Sequence, residues 1–223
     1  MTHDPVDTAV FDVDGTLVDT NYHHALSWYR AFRRFDVVLP VWRLHRAIGM
    51  GGDNLVAHVA SQDVEERLGE ELRSAWEEEF NQLVPEVSAF AGAHELLAHV
   101  KSRGLRLVLA SSGKREHTEA FLDLLDGKDI ADDWTTSDDV EASKPAPDLV
   151  SVAMEKVGGT RAVMIGDSVW DAISARDVGV PTIAVRTGGF STEELRDAGA
   201  EWVFDSLEEL RDDIEKTPLG SGR

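Results

Sequence analysis

Two rhythms of apolar and polar residues run along the chain. Segment 8–13 (Thr-Ala-Val-Phe-Asp-Val) is a short apolar run that reads as a buried strand. Runs of the same kind recur at 105–110, 161–166 and 181–185, and a weaker one ends near Val203 and Phe204. Helical spacing fills the intervals: Leu96, Leu97 and Val100 form one stripe, Thr118, Phe121, Leu122 and Leu125 a second, and Leu149, Val150, Ala153, Met154 and Val157 a third. From residue 92 onward strands and helices alternate, which predicts a parallel sheet covered on both faces. Ligand sites in such sheets lie at the carboxyl ends of the strands.

Residues 20–90 break the alternation. Ala25, Trp28, Tyr29, Phe32 and Phe35 make one helical stripe, and Leu68, Leu72, Trp76, Phe80 and Leu83 another. So long an interval between the first two strands exceeds any ordinary loop. The expected fold class is therefore α/β, a Rossmann-like parallel core built from 1–19 and 88–223 with a helical subdomain, 20–87, inserted into it. The Trp and Phe stripes are assigned to the core of that insertion.

Composition narrows the function classes. Of 223 residues 42% are hydrophobic, a globular proportion, and no apolar run nears the ~20 residues needed to span a bilayer. Cysteine is absent, which excludes disulfides, thiolate catalysis and Cys-based zinc sites and suits a cytoplasmic location. The acidic N-terminal residues carry no basic region followed by an apolar stretch, so no signal peptide is expected. A formal net charge of −20 argues against nucleic acid or an anionic membrane as partner. It also means that a phosphate site here needs local cations and a metal. The segment 217–223 reads as a flexible tail.

Four clusters carry chemistry. Asp12 and Asp14, in Asp12-Val13-Asp14-Gly15-Thr16, stand two residues apart at the end of the first strand, so both point toward its carboxyl-terminal crevice. Paired carboxylates repel unless a proton or cation resolves them. Asp-Gly alone also suits a β-turn, and four fixed positions match by chance in about one chain per thousand. Next, Gly166-Asp167-Ser168-Val169-Trp170-Asp171 follows another strand; Asp167 is placed to complete an all-oxygen site, which favours magnesium over zinc. Asp167 or Ser168 equally suits a helix cap. Ser111 and Ser112 end a third strand, where hydroxyls and free N–H groups suit a phosphate or a cap. Lys144, before Pro145, offers a cation to offset a carboxylate cluster. Each cluster falls after a predicted strand, at one edge of the sheet.

On these residues the chain resembles the haloacid dehalogenase-like hydrolases, specifically phosphatases of the phosphoglycolate phosphatase and β-phosphoglucomutase type. Asp12 to Leu17 matches the first family motif, Ser111 the second, Lys144 the third, and Gly166-Asp167 with Asp171 the fourth. The insertion at 20–87 corresponds to the family's helical cap. The resemblance implies that Asp12 is a nucleophile forming an aspartyl-phosphate and that Asp14 is acid and base in turn. It implies Mg2+ held by Asp12, the backbone carbonyl of Asp14, and Asp167. Ser111, Ser112 and Lys144 would hold the phosphate, and Asp171 would orient the metal surroundings or Lys144.

Dehalogenation is disfavoured by Asp14 and Asp167, and Schiff-base phosphonate cleavage by the absence of Lys from residues 20–90. A sugar phosphomutase is the runner-up, because His24 falls where those relatives carry a histidine, although a polar position on the first cap helix explains it as well. A non-catalytic regulator on the same fold ranks lower, since Asp12 is retained. The expected substrate is a small phosphorylated metabolite, acted on by a monomer or small homo-oligomer. Substrate choice is expected from Arg43, His45 and Arg46 in the glycine-rich segment 43–54, which reads equally as a plain helix–loop–helix connection. Hinges are expected near 17–21 and 84–92.

Overall fold

The computed structural model of the chain describes residues 5–139 and 144–221; residues 1–4, 140–143 (with the Ser143 that precedes Lys144) and 222–223 lie outside it. Six strands form one parallel sheet: β1 (Thr8–Asp12), β2 (Arg106–Ala110), β3 (Asp133–Thr135), β4 (Ala162–Gly166), β5 (Thr182–Val185) and β6 (Ala200–Phe204). Their order is β3-β2-β1-β4-β5-β6. All five expected strands are present. The edge strand β3 carries no apolar run, only Asp-Trp-Thr, and was invisible to hydrophobic patterning.

Four helices occupy the interval after β1: α1 (Asn21–Arg34), α2 (Val41–His45), α3 (Gly52–Val59) and α4 (Gln62–Leu83). Seven follow between and after the later strands: α5 (Ala93–Ser102), α6 (Arg115–Leu124), α7 (Gly127–Ile130), α8 (Asp148–Lys156), α9 (Val169–Asp177), α10 (Thr192–Ala198) and α11 (Leu207–Asp212). The fold is thus α/β, with α1–α4 as a helical cap inserted between β1 and β2. Among the described residues no helix is long and apolar enough to cross a membrane.

Alternation along β1 divides the core. Ala9 and Phe11 face α5, α6 and α11 through Leu97, Phe121 and Leu210, while Val10 faces α8 and α9 through Val150 and Ala175. The cap has its own apolar centre, in which Trp28 and Phe32 of α1 meet Leu72 and Trp76 of α4. The two connections between cap and core run side by side: Asp19 N donates to Ser88 O at 2.9 Å and Phe90 N to Leu17 O at 2.9 Å.

Register then assembles one edge. Asp12 pairs across from Ala110, and Phe11 from Ile165, so Asp12, Ser111 and Asp167 emerge together at the carboxyl ends of β1, β2 and β4. The C-terminal segment departs from the expected loose tail. Leu219 is fully buried in the core, and Arg103 donates to Leu219 O at 3.0 Å and Gly220 O at 2.7 Å, so residues 217–220 are packed.

At the opposite edge Asp7 ties β1 to the turn before β4. Its carboxylate accepts from Thr160 N (3.1 Å), Thr160 Oγ1 (2.5 Å), Arg161 N (3.2 Å) and Thr8 Oγ1 (2.7 Å). Burial raises its pKa, but these bonds together outweigh burial and hold it below the ordinary carboxylate range. A depressed folded pKa stabilises above the unfolded value and is lost as pH falls through the folded one. Asp7→Ala should therefore cost about 1–3 kcal/mol in urea unfolding at pH 7, and the deficit should shrink as the pH is lowered through 4 and below.

Candidate active site

Gly15 turns the chain immediately after the first acidic pair, with φ of +80°. A Cβ there would lie 2.4 Å from Asn21 Nδ2 and 2.6 Å from Asp167 Oδ2, so only glycine lets the turn and Asp167 share this space. Thr16 beyond it is fully buried, and its Oγ1 lies 3.0 Å from Asp12 Oδ2 and 2.9 Å from Asp167 Oδ1. One hydroxyl hydrogen cannot serve both carboxylates at once. Asn21, opening α1, donates to Asp167 Oδ2 at 2.9 Å.

A four-residue spacing would put Asp167 and Asp171 on one face if a helix began at Asp167, but α9 begins only at Val169. Ser168 caps that helix, and Asp171 Oδ2 accepts from Ser168 N at 3.0 Å and Ser168 Oγ at 2.6 Å. The cap reading thus holds for Ser168, while Asp167 is left free to turn inward. Lys144, 1% exposed, contacts Asp12 Oδ1 and lies 2.7 Å from Asp171 Oδ1. Asp171 Oδ1 is buried and meets no donor at hydrogen-bonding geometry among the described residues.

Asp12, Asp167 and Asp171 present oxygens all within 4.8 Å of one another, and all three residues are buried. Three carboxylates face a single ammonium. Burial, reinforced by Asp171, Asp167 and Asp14, raises the pKa of Asp12 against the pull of Lys144. Burial and Asp171 lift Asp167 to about 7, against hydrogen bonds from Asn21 and Thr16. Burial lowers the pKa of Lys144, but Asp12 and Asp171 more than reverse that and hold it charged. Excess buried negative charge and an all-oxygen donor set fit a hard divalent cation.

Asp14 stands apart from that cluster. His24 Nε2 lies 3.0 Å from Asp14 Oδ1, and Ser111 Oγ donates to Asp14 Oδ2 at 2.7 Å. Burial raises its pKa, yet the hydrogen bond and charge of His24 and the Ser111 bond leave it below the ordinary value. The same Ser111 hydroxyl accepts from Gly113 N at 2.9 Å. Ser111 itself is fully buried, and Ser112 is the serine that lines the adjoining cavity.

That cavity, of about 340 Å³, runs from Asp12, Asp14 and Ser112 to the cap residues Trp28, Arg73 and Trp76. His24 also lines it, and its place is on Asp14 rather than in solvent. The stripe residues Trp28 and Trp76 prove to be both cap core and cavity wall. Of the segment 43–54, residues from Ile48 to Asp53 reach the cavity, whereas Arg43, His45 and Arg46 do not line it. Arg43 is exposed. His45 stacks on Tyr22 at 4.8 Å, and Arg46 lies 3.8 Å over Phe190 and pairs with Glu194. The three project instead toward the cap–core seam around Phe190, or to solvent, and the cations that line the cavity are Arg73 of α4 and Lys114. Arg73, Thr16 and Asn21 carried no sequence signal beyond, for Thr16, membership of the first motif.

Residues 9–185 match the family profile of the haloacid dehalogenase-like hydrolases. A phosphoglycolate phosphatase from Caulobacter vibrioides is 33% identical over 90% of this chain and 87% of its own. The pyrophosphatase PpaX of Oceanobacillus iheyensis is 25% identical over 91% of this chain and 94% of its own. The crystal structure of a hydrolase from Pseudomonas syringae superposes with a TM-score of 0.88 and 30% identity, covering 94% of this chain and 98% of that one.

A raised carboxyl pKa has the opposite linkage to Asp7: ionising Asp167 in the folded state costs stability as pH rises from 3.8 toward about 7. In EDTA, Asp167→Asn should be more stable than wild type at pH 8, with the advantage fading toward pH 4. Millimolar magnesium should raise the melting temperature of the wild type, and the variant should lose most of that rise.

Proposed function

The chain belongs to the haloacid dehalogenase-like hydrolase family and is a phosphatase within it; we propose that it hydrolyses a small phosphorylated metabolite, with magnesium, through an aspartyl-phosphate on Asp12. The observation that carries this reading is the placement of Asp12 at the core end of the cavity, held between Lys144 and Thr16.

A carboxylate oxygen of Asp12 attacks phosphorus in line with the ester oxygen, and the P–O bond to the leaving group breaks as the acyl phosphate forms. Asp14 protonates the departing oxygen, then removes a proton from the water that cleaves the acyl phosphate. His24 and Ser111 hold Asp14 in its ionised form before substrate enters. An arriving phosphate dianion favours protonation of Asp14 and prepares it as the acid. Lys144 balances charge developing on the phosphoryl oxygens, and Ser111, Ser112 and the N–H groups of their turn complete their binding. Asp12, Asp167 and the backbone carbonyl of Asp14 are the proposed metal ligands. Asp171, committed to Ser168 and Lys144, positions them. Magnesium held there would let anionic Asp12 approach an anionic phosphate.

Asp12→Asn should keep the wild-type fold by circular dichroism and lower magnesium-dependent hydrolysis of p-nitrophenyl phosphate by roughly 10³-fold or more. Near-normal turnover would rule out Asp12 as nucleophile.

A sugar phosphomutase is the second reading, and the contact between His24 and Asp14 is the observation that favours it. The arginines that could receive a distal phosphate in such an enzyme, Arg43 and Arg46, stand outside the cavity, which favours hydrolysis. Incubation with hexose 1-phosphates should therefore release inorganic phosphate; recovery of hexose 6-phosphate without release would establish the mutase.

A further inference from the structure

Beyond its reacting end the cavity has a definite chemical character. Trp28 and Trp76 stack at 5.5 Å with an interplanar angle of 20°, and His24 continues the array 5.6 Å from Trp76. Ile48, Met50 and Leu55 also line it. A volume of about 340 Å³ lies within the ~300–1,000 Å³ range that encloses drug-sized ligands, and far exceeds what a two-carbon leaving group fills.

Its cations are already matched. Arg73 Nη1 lies 2.8 and 3.0 Å from the two carboxylate oxygens of Glu65 and 3.3 Å from Gly52 O. Lys114 Nζ lies 2.5 Å from Glu77 Oε2. A carboxylate on the substrate would have to share one of these cations with its glutamate, inside a protein of net charge −20 and against an apolar wall. Arg73 bonds through Nη1 alone among the described residues, so Nε and Nη2 keep donor capacity on a fork whose charge Glu65 has neutralised. Such a fork suits a hydroxyl or carbonyl better than an anion.

From this geometry we infer that the preferred substrate is a monophosphate ester of an uncharged ring, packed on Trp28 and Trp76 with Arg73 donating to a neutral oxygen, and that phosphorylated carboxylates are selected against. The inference rests on the phosphatase reading above and names the leaving group for the same site. Glu65 is on this account a specificity-determining residue, acting through Arg73.

The test compares kcat/KM for ring esters (glucose 6-phosphate, glucose 1-phosphate, inositol 1-phosphate) with that for phosphoglycolate and 3-phosphoglycerate, using the full chain with magnesium. The best ring ester should exceed both carboxylates by at least about tenfold. Glu65→Gln, which uncovers the charge of Arg73, should shift that ratio at least about tenfold toward the carboxylates. Arg73→Gln should raise KM for the best ring ester with kcat nearly unchanged. Inhibition by inorganic phosphate, which reads the core end and folding, should not move in either variant. Wild-type preference for a carboxylate, or an unchanged ratio in Glu65→Gln, overturns the inference while leaving the phosphatase intact. Absence of magnesium-dependent hydrolysis of every ester would instead remove the phosphatase reading, and this inference with it.

Discussion

Buried negative charge around Lys144 is the constraint on which the rest of the site depends. Asp12, Asp167 and Asp171 are each almost completely removed from water, and one ammonium cannot balance them. Isolated, each charge would be expelled or neutralised. They persist together because the sheet register leaves them no other place: β1 and β4 end side by side, and the chain after each reverses at once. The glycines are part of the same constraint. A side chain at Gly15 or at Gly188 would strike Asp167 Oδ2, at 2.6 and 2.0 Å respectively. Charge imbalance of this kind is a store of affinity for a cation, and without one it repels a phosphate dianion.

The cap is coupled to that cluster physically. Gly51 N donates to Lys144 O at 3.3 Å and Asn54 Nδ2 to the same oxygen at 3.4 Å, so the segment between α2 and α3 closes over the residue that balances the carboxylates. Gly49, with φ of +98°, allows the same segment to lie against Ser168, which caps α9 and holds Asp171. Trp170 Nε1 adds a 3.3 Å bond to Arg46 O. The cap segment is therefore anchored on the residue that balances the carboxylates and on the helix that holds Asp171.

Asp14, the proposed acid and base, is set off from the charge cluster by its partners. Asp14 lies only two residues from Asp12, yet its carboxylate belongs to His24 from the cap and Ser111 from the core. His24 in turn stacks 4.1 Å from Phe80 and 5.6 Å from Trp76, so the aromatic spine of the cap fixes the ring that meets Asp14. One array of side chains thus both walls the cavity beyond Asp12 and holds Asp14.

Local pattern in the sequence is enough for the strands β1, β2, β4, β5 and, more weakly, β6, for the helical insertion, and for the gathering of Asp12, Asp14, Ser111 and Asp167 at one sheet edge, with Lys144 joined to them by the motif resemblance. Those features follow from local period and from the rule that parallel strands end together, and neither requires knowing which side chains touch. Tertiary structure alone decided the rest. The strand β3 forms because β2 offers it an edge, since its own residues have no strand pattern. Leu219 is buried because the surface beneath it is apolar, in a segment that reads as a tail. Arg46 and Arg73 are both cap arginines, and only packing sends the first to Glu194 and the second to the cavity beside Glu65. A side chain's direction across an inserted segment depends on how its packed surface meets that of the core, and no spacing along the chain encodes that.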